Sequence, residues 1–412
     1  MNHFKKQQIQ NIADFNPREQ LAKGILAKSV PMAMLKEFQR QITGYEIKAF
    51  NGGAKFRNGD TLLAKITPCL ENGKTAFVDI LDDGEVAFGS TEFIVLRAKN
   101  ETNPEFLYYF AISPDFRKRA IECMEGTSGR QRVNENTLKT LELPIPEPQT
   151  QQSIAAVLSA LDKKIALNKQ INARLEQMAK TLYDYWFVQF DFPDASGKPY
   201  KSSGGEMVFD ETLKREIPKG WKSGNILNIA NLLGGGTPSK SSPEYWNGNI
   251  PFFTPTDCDN SIFILDTADR ITDAGLCNSS TRLFKKHSIF ITARGSVGRS
   301  SINAVPMAMN QSCYAFQAKE NVSYTFLFFL IRELIMILEV KATGSVFNSI
   351  VSSDIETTNL VISNKDLIMK FGEYCEPLFN QIETNLKQNH HLTQLRDFLL
   401  PMLMNGQVSV AE

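Results

Sequence analysis

The 412-residue chain predicts an α+β protein: two mixed α/β domains separated by a long antiparallel two-helix coiled coil, arranged as a pseudo-two-fold internal repeat. Three observations carry this. The first is a seam: Ile154, Leu158, Leu161, Ile165, Leu175, Ala179, Leu182 and Trp186 recur in alternating steps of three and four, with Asn168 and Asn172 in the two middle slots. Neither Gly nor Pro interrupts it, and so narrow an apolar stripe wants a partner helix. At 1.5 Å per residue, a helix over 152–186 spans about 50 Å. The second is an offset. A shift of 217 positions, the interval from Ile165 to Ile382, also carries Asn168 to Asn385, Asn172 to Asn389, Leu175 to Leu392, Leu182 to Leu399 and Trp186 to Leu403. Asparagine costs stability in an apolar seam and fixes register, so two at matching slots point to an internal duplication and to pairing of the helices. The third is an order of parts, since a β-rich region, a polar Gly/Ser loop, a strand and a long helix occur twice. The competing reading, two unrelated amphipathic helices on separate cores, leaves the shared offset unexplained.

In chain order, residues 1–148 form the first domain. Asn51-Gly52-Gly53, Asn58-Gly59-Asp60, Glu71-Asn72-Gly73 and Asp82-Asp83-Gly84 are turn chemistry, bounding strands at 61–66, 75–80, 85–88 and 93–96. Helices follow at 104–111 and 115–123, then the polar loop 126–134 and a strand ending in Leu143-Pro144-Ile145-Pro146-Glu147-Pro148. The long helix of 149–190 cannot start before that last proline. Residues 191–217, rich in Pro, Gly, Ser and Asp, read as a linker or exposed excursion. The second domain, 218–364, has strand signals at 226–233, 250–253, 288–292, 312–316 and 360–363 and a helix from Tyr324. Residues 365–412 are the distal helix and tail.

Composition narrows the function. With 45 basic and 45 acidic residues the chain has no net charge, so it is not a uniformly cationic polyanion binder, though local basic patches are not excluded. Its six cysteines form no CxxC pair and it has four histidines, which argues against a zinc site and for a reducing compartment. The start, MNHFKKQQIQ, lacks the apolar core of a signal peptide. The apolar run 324–340 carries Arg332 and Glu333, so it reads as a buried helix and not a membrane span. The expectation is a cytoplasmic protein without membrane contact.

No catalytic constellation stands out. Gly234-Gly235-Gly236-Thr237-Pro238-Ser239-Lys240-Ser241 fails as a phosphate loop, because Ser239 replaces the glycine required before the lysine and Pro243 interrupts the helix required after it. There is no dinucleotide fingerprint, no HExxH, no GxSxG and no Asn-Pro-Pro-Tyr motif of an amino-methyltransferase. Polar loops combining cations with amides and hydroxyls occur instead in both domains. In the first they hold Lys65, Thr67, Asn72, Lys74, Ser128, Arg130, Gln131, Arg132 and Asn134. In the second they hold Thr237, Ser239, Lys240, Arg294, Ser296, Arg299, Asn310, Gln311, Ser345 and Asn348. Arginine reads guanine edges and Asn or Gln reads adenine, while Lys, Ser and Thr hold phosphates. A solvated turn is the bland alternative for each loop; their appearance in both copies favours a reader.

Several stretches carry a family resemblance. Lys55 to Ala76, KFRNGDTLLAKITPCLENGKTA, resembles a recurrent target-recognition motif. Leu143-Pro144-Ile145-Pro146 with Gln151-Gln152 resembles the lead into a central helix, and Ile217-Pro218-Lys219-Gly220-Trp221 the start of a second recognition domain. Gly235-Gly236-Thr237-Pro238 with Pro243-Glu244-Tyr245-Trp246 resembles that domain's first loop. Over nearly its whole length the chain resembles the specificity subunit of a type I restriction–modification enzyme. It departs from the pattern in lacking a Pro-x-Gly-Trp opening in the first domain, and Ser363-Asn364-Lys365 is a weak lead into the second helix.

The resemblance implies a non-catalytic subunit that binds double-stranded DNA, each domain reading half of a bipartite asymmetric site. The paired helices would set the gap and dock two modification (methyltransferase) subunits. This chain would bind no cofactor; S-adenosylmethionine, ATP and Mg would sit on the modification and the restriction (motor–nuclease) subunits. A coil of about 50 Å can bridge half-site centres one duplex turn, about 34–36 Å, apart. Two other classes stay open at this point: a protein- or carbohydrate-binding adaptor on a coiled-coil rod, and an enzyme with an unrecognised site.

Overall fold

In the computed structural model, which describes residues 4–99, 101–127, 129–259, 261–341 and 349–410, the chain divides into two units. The first takes Met1–Ala166 with His390–Glu412 and the second Leu167–Asn389, so the division falls within both long helices.

The first unit holds two four-stranded sheets. One pairs Ala13–Phe15, Phe93–Ala98, Thr61–Ala64 and Thr75–Phe77 in that order, all antiparallel. Successive side chains of a strand face opposite sides, and here both sides are buried. Leu62, Ala76, Phe93 and Val95 pack into one apolar cluster, while Leu63, Phe77, Ile94 and Leu96 enter another. That is why these strands read as unbroken apolar runs. The second sheet orders Glu46–Ala49, Leu26–Val30, Ala87–Gly89 and Ala54–Phe56, with Leu26–Val30 parallel to Ala87–Gly89. Helices Pro104–Ile112 and Pro114–Glu122 begin at Asn103 and Ser113, whose side chains accept backbone amides while proline fills the first turn. Phe4–Gln8 pairs with Glu142–Pro146, which delivers the chain to the central helix.

The second unit has a five-stranded sheet ordered Ala230–Gly234, Cys313–Ala318, Ile289–Thr292, Ser300–Asn303 and Phe263–Ile264. A three-stranded sheet places Trp246–Phe253 antiparallel to Asp269–Ile271 and parallel to Ala308–Met309. The helix Tyr324–Lys341 buries Phe326, Phe328, Phe329 and Ile331. Two details differ from the sequence reading. Where a strand was expected from 226, Asn225 accepts the Leu227 amide and winds one short turn, Ile226–Asn228, before the strand Ala230–Gly234. The excursion at 191–217 is built structure. Asp191, Asp194 and Asp210 accept backbone amides of Ser202, Ser196 and Leu213, a hairpin pairs Met207–Asp210 with Arg215–Pro218, and Phe192 stacks on Trp221 at 5.1 Å.

The central helix, Pro148–Tyr183, ends in a wide turn at Asp184–Val188, and the distal helix is Lys365–Met404. Within the second unit they run antiparallel. Asn168 donates to Asn389 at 2.8 Å and to Gln388 at 2.7 Å, while Asn385 donates to Asn172 at 2.8 Å and Asn172 to the Ile382 carbonyl at 3.2 Å. Of the seam residues, Ile154, Leu158, Ile165, Ala179, Trp186, Ile382 and Leu403 are buried, and Leu161, Leu175, Leu182, Leu392 and Leu399 half-buried. Tyr183, Trp186 and Phe187 meet Phe326, Phe329 and Phe371 in the second unit's core, and Ile154, Leu158, Leu400 and Leu403 join the first unit's. Among the described residues no helix is long and apolar enough to cross a membrane.

Candidate nucleic-acid interface

In the first unit the turn after Thr61–Ala64 meets the segment before the helix Glu135–Thr140. Thr67 N donates to the Gln131 carbonyl at 3.0 Å, Val133 N to the Lys65 carbonyl at 2.9 Å, and Ile66 bridges Arg132. Lys65, Thr67, Gln131 and Arg132 are therefore brought together. Arg130 stands exposed on the adjoining turn, its amide bonded to the Thr127 carbonyl at 3.0 Å. Asn72 and Lys74 lie at the far end of the 66–74 turn, which Arg117 closes by donating to the Glu71 carbonyl at 2.8 Å. Asn134 serves as a cap: its side chain accepts the amides of Asn136 and Thr137 and donates to Glu125. Ser128 lies outside the described residues, as do Ser345 and Asn348 in the second unit.

The charges of this cluster are already matched. Arg132 forks onto Glu92 with bonds of 2.7, 2.9 and 3.1 Å, and Lys65 reaches Glu135 at 3.2 Å. The hydrogen bonds from Arg132 hold the Glu92 carboxyl below the usual carboxylate range. Because that folded-state value is depressed, the pair's contribution to stability is present above the ordinary glutamate pKa and is lost as pH falls through the depressed one. Neither carboxylate was legible as a partner, since Glu92 is 40 positions from Arg132 and Glu135 is 70 from Lys65.

The second unit assembles its candidates at the corresponding strand ends. Gly236 N donates to the Met309 carbonyl at 3.0 Å, and the Thr237 hydroxyl donates to Gln311. A Cβ at Gly235 would collide with the carbonyl oxygens of Met309 and Asn310, so glycine permits this close approach. Asn310 takes the Ser312 amide at 3.0 Å, while the Ala293 and Arg294 amides donate to the Ser312 carbonyl at 2.9 and 3.1 Å. Thr237, Arg294, Asn310 and Gln311 therefore border one surface, with Ser296 on the turn beyond Arg294, where its carbonyl accepts the Thr292 hydroxyl. Ser239 is engaged by Ser241 and by the Trp246 indole, and Lys240 is exposed. Arg299 braces the Cys258 carbonyl at 2.9 Å. The three-residue turn Pro243–Tyr245 follows the glycine run in place of the helix a phosphate loop needs. Among the described residues no group of three or more His, Cys, Asp or Glu could hold a metal ion, and no disulfide joins the cysteines.

These two loop clusters suit hydrogen-bond readout of a polar, repetitive ligand, with exposed arginines beside amides and hydroxyls. A family model described as the type I restriction modification DNA specificity domain matches the chain twice, over residues 20–177 and 218–393. The chain is 28% identical over 417 residues to the type I restriction enzyme HindI specificity subunit of Haemophilus influenzae, covering 88% of this chain and 90% of that one. It is 30% identical over 312 residues to the type I restriction enzyme MjaIX specificity subunit of Methanocaldococcus jannaschii, covering 75% and 70%. Its fold is similar to the crystal structure of a type I restriction–modification S subunit from M. genitalium, with a TM-score of 0.60 over 97% and 96% of the two chains at 17% identity.

Proposed function

Because this chain belongs to the type I restriction–modification DNA specificity family, its work is DNA sequence recognition, and we propose that each unit reads one half of a bipartite, asymmetric site. The long helices set the gap between the halves and dock two modification subunits. Those partners carry S-adenosylmethionine, and motor–nuclease subunits carry ATP and Mg; this chain binds none of them.

One observation supports the reading above the rest: the two units hang their polar loops on the same sheet positions. Ala13–Phe15, Phe93–Ala98, Thr61–Ala64 and Thr75–Phe77 pair in the same order and sense as Ala230–Gly234, Cys313–Ala318, Ile289–Thr292 and Ser300–Asn303. The candidate readers follow Ala64 in one and Thr292 in the other. The helix seam obeys the same exchange. Shifting Asn168 and Asn172 by 217 gives Asn385 and Asn389, so the contacts Asn168–Asn389 and Asn172–Asn385 are images of one another. A duplication that pairs with itself has this reciprocity, and a stiff spacer suits a fixed gap better than a flexible linker.

Mapping methylated adenines in the host genome, with and without this gene, tests the proposal. The expected motif has two short specified blocks around a constant number of unspecified base pairs, and it disappears with the gene. A continuous motif, or one indifferent to the gene, overturns it.

A further inference from the structure

The segment Asn16–Gln20 escaped the sequence reading, yet it leaves the strand Ala13–Phe15 as the glycine loop leaves Ala230–Gly234 in the second unit. It borders a cleft of about 770 Å³ whose lining includes Arg18, Gln20, Lys55, Lys65 and Thr91. We propose that Arg18, with Gln20 beside it, reads base edges for the first unit, Arg18 taking the O6 and N7 of a guanine. This rests on the DNA-reading function argued above and names a residue for it.

Three features separate Arg18 from an ordinary surface arginine. Its loop is pinned. Asn16 adopts a left-handed backbone (φ 49°), its amide donates to the Val95 carbonyl at 2.7 Å, its side-chain oxygen accepts the Val95 amide at 2.9 Å, and its side-chain nitrogen donates to Glu135 at 2.8 Å. Glu19 is held by Arg97 at 2.6 Å, which also forks onto the buried Asp60 with two bonds of 2.7 Å, and Lys55 donates to the Glu19 carbonyl at 2.8 Å. Such bracing fixes the backbone on either side of a side chain that must meet a base in register. Second, Arg18 and Gln20 are exposed and make no hydrogen bond or ion pair with the described residues. Third, the neighbouring cations are spent, Lys65 on Glu135 and Arg132 on Glu92. A guanidinium with no internal partner presents its planar fork without first breaking an ion pair, and that fork matches guanine.

The test replaces the gene in its host and reads the methylated motif genome-wide. The wild-type chain must give a bipartite motif; if it gives none, the DNA-reading proposal itself fails. With R18A, one G·C position in one half should relax, its discrimination falling about 5- to 150-fold, while the other half stays intact. R294A, in the second unit, should relax the opposite half. R18K separates base from phosphate contact, because lysine keeps the charge and loses the fork. Relaxation at the same position by R18K supports the proposal, including where R18A abolishes methylation altogether. An unchanged motif in R18A or R18K, or relaxation of the same half by R18A and R294A, overturns it.

Discussion

Arg396 and Asp162, in the helical part of the first unit, meet at 2.8 Å with each side chain only 7% exposed. The Tyr109 hydroxyl donates to the second Asp162 oxygen at 2.7 Å, and Arg396 also holds Asp397 at 2.8 Å. Burial first, and then the Asp162 charge, keep the Tyr109 phenol protonated well above its ordinary range. In so dry a place, removing one charge strands the other. R396L should therefore destabilise the full chain by ~3–5 kcal/mol, and adding D162N should recover part of that loss, because the stranded charge is gone while the amide oxygen can still accept from the Tyr109 hydroxyl. Denaturant midpoints of the two variants check this; equal losses in both would show that the ion pair is not the cause. K214A, which breaks the exposed Lys214–Glu211 contact, belongs to the opposite regime, where pairs contribute ~0–1 kcal/mol.

At the scale of the element, the two Asn contacts mark a short window common to both long helices. Four residues inserted after Gln170 and four after Lys387 lengthen both helices between the contacts by about one turn, near 6 Å, and keep each apolar face roughly in phase. Both half-sites should survive while the unspecified gap grows by one or two base pairs, at about 3.4 Å each. A methylated motif with its old gap would show that something else sets the spacing. These helices were legible because a seam is periodic, and its asparagines stand out against an apolar background. The strand Phe4–Gln8 was not, since FKKQQ has no apolar alternation and is held by pairing with Glu142–Pro146, far along the chain. The candidate interface was legible only by composition. Sequence showed Lys65 and Arg132 as cations in polar loops, but their neutralising carboxylates come from elsewhere in the chain, Glu92 from a turn 40 positions from Arg132 and Glu135 from a helix start 70 positions from Lys65. Arg18 follows Asn16-Pro17, and nothing in that pattern marked it as a reader.

For the whole molecule, the chain should bind without transforming. Incubated with duplex DNA, S-adenosylmethionine, ATP and Mg but no partner subunit, the purified protein should transfer no methyl group and release no phosphate. Labelled methyl on adenine from the chain alone would reverse this. Its zero net charge then gains a meaning when taken with the ion pairs that occupy Lys65 and Arg132. Non-specific attraction to DNA comes from cations that displace condensed counterions, and a genome offers some 10⁶–10⁹ wrong sites to hold a protein by that attraction alone. Cations held by their own carboxylates, as Lys65 and Arg132 are, add little to that grip. On the proposed reading the protein then spends less of its time stored on irrelevant sequence, and recognition falls to groups such as Arg18 that no carboxylate among the described residues holds.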